Sequence, residues 1–181
     1  MKKAMILSLI TFFSVVSCSE YGIPVTPFHF KSYPEMVQYF QKKACSEEKV
    51  KLSVYNYDKT KYTPKIITPC SFDLENYDRR NLCYLSFKDR KDGINITLHS
   101  KEVFKRMYDF VTNYGHFIER PIRPENTIFV LELEKDTSIK TVEHILMALS
   151  VLYQDIRDEI GSTKLGDMPI ILTDKELYKD L

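Results

Sequence analysis

A long amphipathic helix between two short apolar segments constrains this fold more than any other feature of the sequence. Residues 138–160 carry apolar side chains at alternating steps of three and four, which places them in a single stripe on one helix face. The stripe consists of Ile139, Val142, Leu146, Leu149, Tyr153, Ile156 and Ile160. The flanking segment 127–133 is a continuous apolar run typical of a strand covered on both faces, and the segment 168–173 is short and apolar. A crossover helix between two such strands predicts that they pair in parallel, with 127–133 as the central strand.

Three earlier segments are also predicted to be ordered. Pro34 at a first-turn position, followed by apolar residues at helical spacing, predicts a helix over residues 34–44. Residues 50–57 are rich in β-branched and aromatic side chains and predict a strand. The polar residues 58–80 predict a long connection, with a short strand at 65–68.

A hairpin and a second helix are predicted between these segments and the central strand. Residues 82–88 and 94–98 favour two strands joined by a turn at Asp92-Gly93. Ser100 then offers an N-cap for an amphipathic helix that ends at Gly115.

The order of these elements predicts an α+β fold. We expect a two-layer sandwich in which two helices pack on a small mixed sheet in the order ββαβαβ, with an additional helix and strand at the N-terminal side. One domain over residues 32–181 is the natural expectation at this length. With 44% hydrophobic residues the chain can bury a sizeable core, and a formal net charge of +1 provides no electrostatic footprint for nucleic acid.

The N-terminus has the plan of a bacterial export signal. Lys2 and Lys3 precede an uncharged apolar run over residues 4–16, which is shorter than the roughly 20 residues that a spanning helix needs. The run ends in Val15-Val16-Ser17-Cys18, which resembles the bacterial lipobox. This resemblance implies that residues 1–17 are removed and that Cys18 is acylated, so that lipid attaches the chain to a membrane. The alternatives are an ordinary secretory peptide or an uncleaved anchor, with Cys18 a plain thiol.

Residues 18–31 are predicted to be an extended tether between the lipid and the fold. They contain Gly22, Pro24 and Pro27 and show no sustained period. Ser19 after the acylated cysteine resembles the sorting pattern for the outer membrane. We therefore expect a lipid-anchored envelope protein at the periplasmic face of the outer membrane.

The remaining cysteines allow one internal disulfide. In an oxidising compartment two of Cys45, Cys70 and Cys83 could pair, and the sequence does not choose among the three pairings. No Cys or His spacing typical of a zinc site is present in the sequence, so neither a metal nor another cofactor is expected.

The sequence carries no recognisable catalytic motif. It lacks the nucleophile elbow, the phosphate-binding loop, the dinucleotide fingerprint and the zinc-protease helix motif. Asp155, Asp158 and Glu159 lie within two helical turns at the end of the long helix. We interpret them as a solvated helix end, with a binding face as the alternative, and expect no enzyme.

Residues 123–138 (RPENTIFVLELEKDTS), Thr141-Val142 and residues 153–159 (YQDIRDE) carry a family resemblance. With the predicted elements around them, over residues 82–173, they resemble the periplasmic domain of the ExbD/TolR biopolymer-transport family. The resemblance implies a partner-binding domain directed to TonB-like proteins, peptidoglycan or a second copy of the chain. It does not imply the proton-coupled role, because the apolar run 4–16 contains no carboxylate.

Two functions follow from these observations. The first is a non-catalytic envelope lipoprotein with an ExbD/TolR-like binding domain, accessory to biopolymer transport or cell-envelope assembly. The alternative is a lipid-anchored immunity or inhibitor protein that neutralises an envelope-acting toxin through a buried aromatic hot spot. An unrecognised hydrolase is the third class, for which a convergent cleft would be required.

Overall fold

A computed structural model describes residues 23–44, 50–68, 78–87, 96–113, 116–118, 121, 123–161 and 165–174. The helices in these ranges are α1 (Tyr33–Ala44), α2 (Ile96–Val111) and α3 (Ile139–Glu159). The strands in these ranges are β1 (Ile23–Val25), β2 (Val50–Leu52), β3 (Val54–Tyr55), β4 (Lys61–Tyr62), β5 (Lys65–Ile66), β6 (Leu82–Ser86), β7 (Ile128–Leu133) and β8 (Pro169–Asp174).

The central sheet has the strand order β5, β8, β7, β6, and all of its pairings are parallel. Helix α2 connects β6 to β7, and α3 connects β7 to β8, which are the crossovers that parallel neighbours require. A parallel pair of β1 with β2 and an antiparallel pair of β3 with β4 complete the strands of the described ranges. The predicted α+β class is confirmed, and β7 has a strand on each side, as predicted.

The core lies between this sheet and the helices. Alternate residues of the strands face the helices, because successive side chains of a strand point to opposite faces of the sheet. On β7 these residues are Phe129, Leu131 and Leu133, and they join one buried cluster with residues of α1, α2 and α3. Ile128 and Val130, on the opposite face, belong to a second and smaller buried cluster.

Helix α3 has the bounds that its apolar stripe predicts. The side chain of Ser138 accepts a hydrogen bond from the amide of Thr141 at 3.1 Å, which makes Ser138 the N-cap. Gly161 follows the helix with a φ of 59°, a left-handed conformation that favours glycine. Most of the stripe is buried against the sheet, whereas Ile139 and Ile160 at its two ends are half-buried.

The hairpin predicted at residues 82–98 is wrong. Residues 96–98 form the first turn of α2 instead of a second strand, so Ser100 lies inside this helix and does not cap it. Strand β6 pairs with β7 in parallel, and this long-range pairing outweighs the local strand propensity of residues 94–98. The sheet is consequently parallel rather than mixed. Helix α2 ends at Val111, four residues before the end predicted at Gly115. The predicted turn at 89–93 lies outside the described residues.

The predicted strand at 50–57 is also corrected. It divides at Ser53 into β2 and β3, which belong to two different sheets. The amide of Ser53 donates a hydrogen bond to the carbonyl of Val25 at 2.8 Å, which continues the pairing of β2 with β1. Within the predicted connection 58–80, β5 lies at the predicted position and β4 is an additional short strand.

The tether predicted over residues 18–31 is wrong from residue 23 onward. Residues 23–25 form β1, which pairs with β2, and the side chains of Val25 and Phe30 join the core. Apolar side chains without a regular period can still be buried when they pack against other elements. The fold therefore begins by residue 23, while residues 1–22 lie outside the described ranges.

Candidate functional site

A cleft of about 180 Å³ lies beside the C-terminal half of α3. One wall is the α3 face that carries Tyr153 and Arg157, the second is β4 with the residues that follow it, and the third is the segment that leads into β8. It is therefore built from segments about a hundred residues apart in the sequence.

Main-chain hydrogen bonds hold two of these walls together. The amide of Lys65 donates to the carbonyl of Met168 at 2.8 Å, and the amide of Ile67 donates to that of Ile170 at the same distance. Strand β4 pairs with β3, which contacts α3. Because these contacts belong to the sheet framework, the cleft has a rigid base rather than walls made only of loops.

Tyr153 links the hydrophobic core to the cleft. Its ring packs edge-on against Phe129 with 5.8 Å between ring centroids, and only 5% of the residue is exposed. Burial raises the pKa of Tyr153 to about 12, while the charge of Arg157 lowers this pKa and that of Asp167 raises it. The hydroxyl makes no hydrogen bond within the described ranges. The cleft therefore contains a protonated phenol whose O–H group can donate a hydrogen bond.

Three charged side chains line the same cleft. Lys61 comes from β4, Arg157 from the last turn of α3, and Asp167 from the segment before β8. None of the three forms an ion pair in the part of the chain that the structure describes. The two cations exceed the single carboxylate, which gives the cleft a positive balance.

Two further polar residues of the cleft have partners on α3 itself. The Ser150 hydroxyl donates a hydrogen bond to the carbonyl of Leu146 at 2.7 Å, as a buried hydroxyl in a helix commonly does. The side-chain amide of Gln154 donates to Oδ1 of Asp158 at 2.6 Å. These bonds fix the two side chains in the cleft wall.

The acidic residues singled out in the sequence lie outside this cleft. Asp155, Asp158 and Glu159 are all exposed at the end of α3, and none of them lines the cleft. Asp158 contacts it indirectly, through the hydrogen bond from Gln154.

The cysteines are placed only in part. Cys83 is fully buried in the core on β6. Cys18, Cys45 and Cys70 lie outside the described residues, so lipidation and the disulfide pairing stay predictions.

Sequence reasoning missed the residues that form the cleft. Tyr153 is part of the apolar stripe, and a tyrosine in such a stripe can bury its ring while its hydroxyl reaches a wet surface. That amphipathic character is a signal in the sequence. Lys61 and Asp167 gave no comparable signal, because only the fold brings these distant residues to one cleft.

The described ranges contain neither a metal-binding cluster nor a membrane-spanning helix. In these ranges no group of three or more His, Cys, Asp or Glu side chains is arranged to hold a metal ion. No helix there combines the length and apolar character needed to cross a membrane.

Comparisons of the chain with protein-family models, with curated proteins and with solved structures find no match. The fold and the cleft are therefore interpreted from their own chemistry.

Proposed function

We propose that this chain is a non-catalytic binding module of the bacterial cell envelope, anchored by lipid on Cys18. The observation that carries the binding role is the cleft beside α3. There the largely buried Tyr153 and three charged side chains without an ion pair in the described ranges line a small concave volume. A few polar groups on a rigid, partly apolar base are typical of ligand sites. The Ser150 hydroxyl, a nucleophile-type group in the cleft, donates its hydrogen bond to the main-chain carbonyl of Leu146 and not to a basic side chain.

The module is proposed to be ExbD/TolR-like and accessory to biopolymer transport or cell-envelope assembly. Support comes from the order of β7, a turn at residues 135–136, α3 and β8, which is the order that the sequence resemblance implies. The second strand of the upstream hairpin in that plan does not form at residues 96–98, which begin α2. The proposed partner is a protein or peptidoglycan, with a second copy of the chain as a further candidate.

The early start of the fold determines how such an anchor would hold the domain. Four residues separate Cys18 from β1, which begins at Ile23. Since an extended chain spans at most about 3.6 Å per residue, the two Cα atoms are no more than roughly 18 Å apart. A lipid on Cys18 thus keeps the β1 end of the domain close to the membrane surface, at the periplasmic face of the outer membrane in this proposal.

Metabolic labelling tests the anchor. Cells that express the wild-type chain should incorporate labelled palmitate into it, and cells that express Cys18→Ala should not. Cys45→Ala serves as the matched control and should label like the wild type. Equal incorporation into the wild type and Cys18→Ala would show that Cys18 is not the lipid site.

Site-specific photo-crosslinking tests the binding role. A photoreactive amino acid in place of Lys61, at the cleft, should give a discrete adduct with an envelope component. The same amino acid in place of Arg106, an exposed residue of α2, should not give that adduct. Absence of a discrete adduct from position 61 contradicts the proposal, as does the same adduct from both positions. A single toxin captured with nanomolar affinity would instead identify the inhibitor function.

A further inference from the structure

We infer that the cleft beside α3 binds a carboxylate group of its ligand, which accepts hydrogen bonds from Arg157 and Tyr153 and faces Lys61 as a second cation. This inference rests on the proposed binding role and specifies the chemistry of the ligand.

Arg157, Lys61 and Tyr153 present hydrogen-bond donors to the cleft. Arginine and lysine donate hydrogen bonds and cannot accept them, and a guanidinium matches the two oxygens of a carboxylate. Only 5% of the Tyr153 surface is exposed, and its hydroxyl has no hydrogen-bond partner in the described ranges. Because its pKa is raised to about 12, this hydroxyl stays protonated at neutral pH. The Tyr153 hydroxyl reaches the cleft, where a ligand acceptor can take the hydrogen bond that no group of the described ranges accepts.

The net charge of the cleft lining favours a ligand group with a single negative charge. The cations of Lys61 and Arg157 face the single carboxylate of Asp167, which leaves one positive charge uncompensated. A monoanion neutralises this excess positive charge, whereas a phosphate dianion would leave an excess negative charge beside Asp167. The C-terminal end of α3 also carries partial negative charge, which further disfavours a dianion. The charges therefore favour a carboxylate over a phosphate.

The volume and the walls of the cleft limit the size of the ligand group that it can hold. A volume of about 180 Å³ holds a carboxylate and a few more heavy atoms rather than a large ligand. Tyr62, Pro64 and Met168 line the cleft beside the charged residues, and the half-buried ring of Tyr62 offers apolar surface to a short aliphatic group. Both the C-terminal residue of a peptide and a free small carboxylic acid have this combination of groups.

NMR titration of the full-length chain in detergent micelles tests the inference. The protein carries ring-labelled tyrosine, and the signals of Tyr153 and Tyr62 are assigned from their loss in Tyr153→Phe and Tyr62→Phe. The probes are acetyl-trialanine with a free C-terminus, the same peptide as its amide, acetate and inorganic phosphate. We expect the free-acid peptide or acetate to shift both signals to saturation and the amide to leave them unchanged.

Variants assign the contacts. Arg157→Gln and Tyr153→Phe should each weaken binding about tenfold, the effect of losing one hydrogen bond to a charged group. The Tyr62 signal reports binding in both variants. Arg106→Gln, which removes an exposed guanidinium from α2, should leave the affinity unchanged. Thermal unfolding of each variant verifies that the fold is retained.

The outcomes separate the ligand sources and the two proposals. Tighter binding of the free-acid peptide than of acetate indicates a chain terminus, and equal binding indicates a free acid. Equal binding of acid and amide, stronger binding of phosphate, or no saturable shift overturns the carboxylate assignment. The carboxylate assignment is also overturned if Arg157→Gln is folded and binds the free-acid probes with unchanged affinity. If the adduct from position 61 persists in these cases, the binding role stands and only the ligand class is wrong.

Discussion

The phenolic hydroxyl of Tyr33 donates a hydrogen bond to the main-chain carbonyl of Thr173 at 2.8 Å, across 140 positions of sequence. The same hydroxyl lies 3.3 Å from the carbonyl of Leu131. Tyr33 is the first residue of α1 and is fully buried, so it fixes the start of this helix onto the C-terminal halves of β7 and β8. Helix α1 is thereby part of the same core as α3.

Tyr33→Phe should lower the free energy of unfolding by about 1–2 kcal/mol. The substitution keeps the ring but removes the donor, and the carbonyl of Thr173 loses a buried partner. Urea denaturation measures the change. Tyr39→Phe is the matched control on the same helix, because its half-buried ring packs against Phe30 and Phe40 and its hydroxyl has no hydrogen bond in the described ranges. A change of less than about 0.5 kcal/mol is expected for Tyr39→Phe, and equal effects of the two substitutions would contradict the role of the Tyr33 bond.

Leu146→Ala should destabilise the domain by about 2–5 kcal/mol, because it leaves a cavity beneath α3. Leu146 is fully buried in the main core cluster, as its place in the apolar stripe predicts. Urea denaturation again provides the measurement. Asp155→Ala, on the exposed face of the same helix, should change stability by no more than about 0.5 kcal/mol. A small loss for Leu146→Ala would mean that α3 is not docked on the sheet.

The sequence predicted those elements whose local pattern and long-range packing agree. The stripe of α3, its cap at Ser138 and the apolar strands β7 and β8 all lie where they were predicted. In each case the periodicity of the apolar residues is the same periodicity that buries them, so no distant information was needed.

The predictions failed where distant pairing decides the structure. Residues 94–98 alternate like a strand, yet residues 96–98 start a helix, and β6 finds its partner in β7 instead. Residues 23–25 show no pattern of their own and become a strand only by pairing with β2. The cleft follows the same rule, because Lys61 and Asp167 acquire a common environment only after β5 has paired with β8.

Ser138→Ala should cost about 1 kcal/mol of stability, the usual effect of removing a helix N-cap. The Ser138 side chain accepts the amide hydrogen bond of Thr141, which otherwise has no partner within the helix. Ser138→Asp keeps an acceptor at this position and adds negative charge at the helix N-terminus, so it should retain the stability of the wild type. Thermal unfolding of both variants decides the matter, and equal losses would exclude a capping role.

At neutral pH, Tyr153→Phe should not lower the free energy of unfolding, in contrast to Tyr33→Phe. The Tyr153 hydroxyl has no hydrogen-bond partner in the described ranges, so its removal leaves no buried acceptor unpaired. Replacing a buried polar group by an apolar one of the same shape is nearly neutral or stabilising. Urea denaturation at neutral pH should therefore give a free energy of unfolding for Tyr153→Phe that equals or exceeds that of the wild type. A clear loss would indicate a hydrogen bond to the hydroxyl.

The free energies of unfolding of the wild type and Tyr153→Phe should diverge as the pH rises above neutral. Burial raises the pKa of Tyr153 to about 12, against about 10 in the unfolded chain. The folded state binds this proton more tightly, so the stabilisation is fully present below about pH 10 and is lost as the pH rises to about 12. Between about pH 9 and about pH 11 the wild type should lose about 1 kcal/mol more than Tyr153→Phe, which lacks the titrating group. Parallel stability curves for the two proteins would show that folding does not raise the pKa of the Tyr153 hydroxyl.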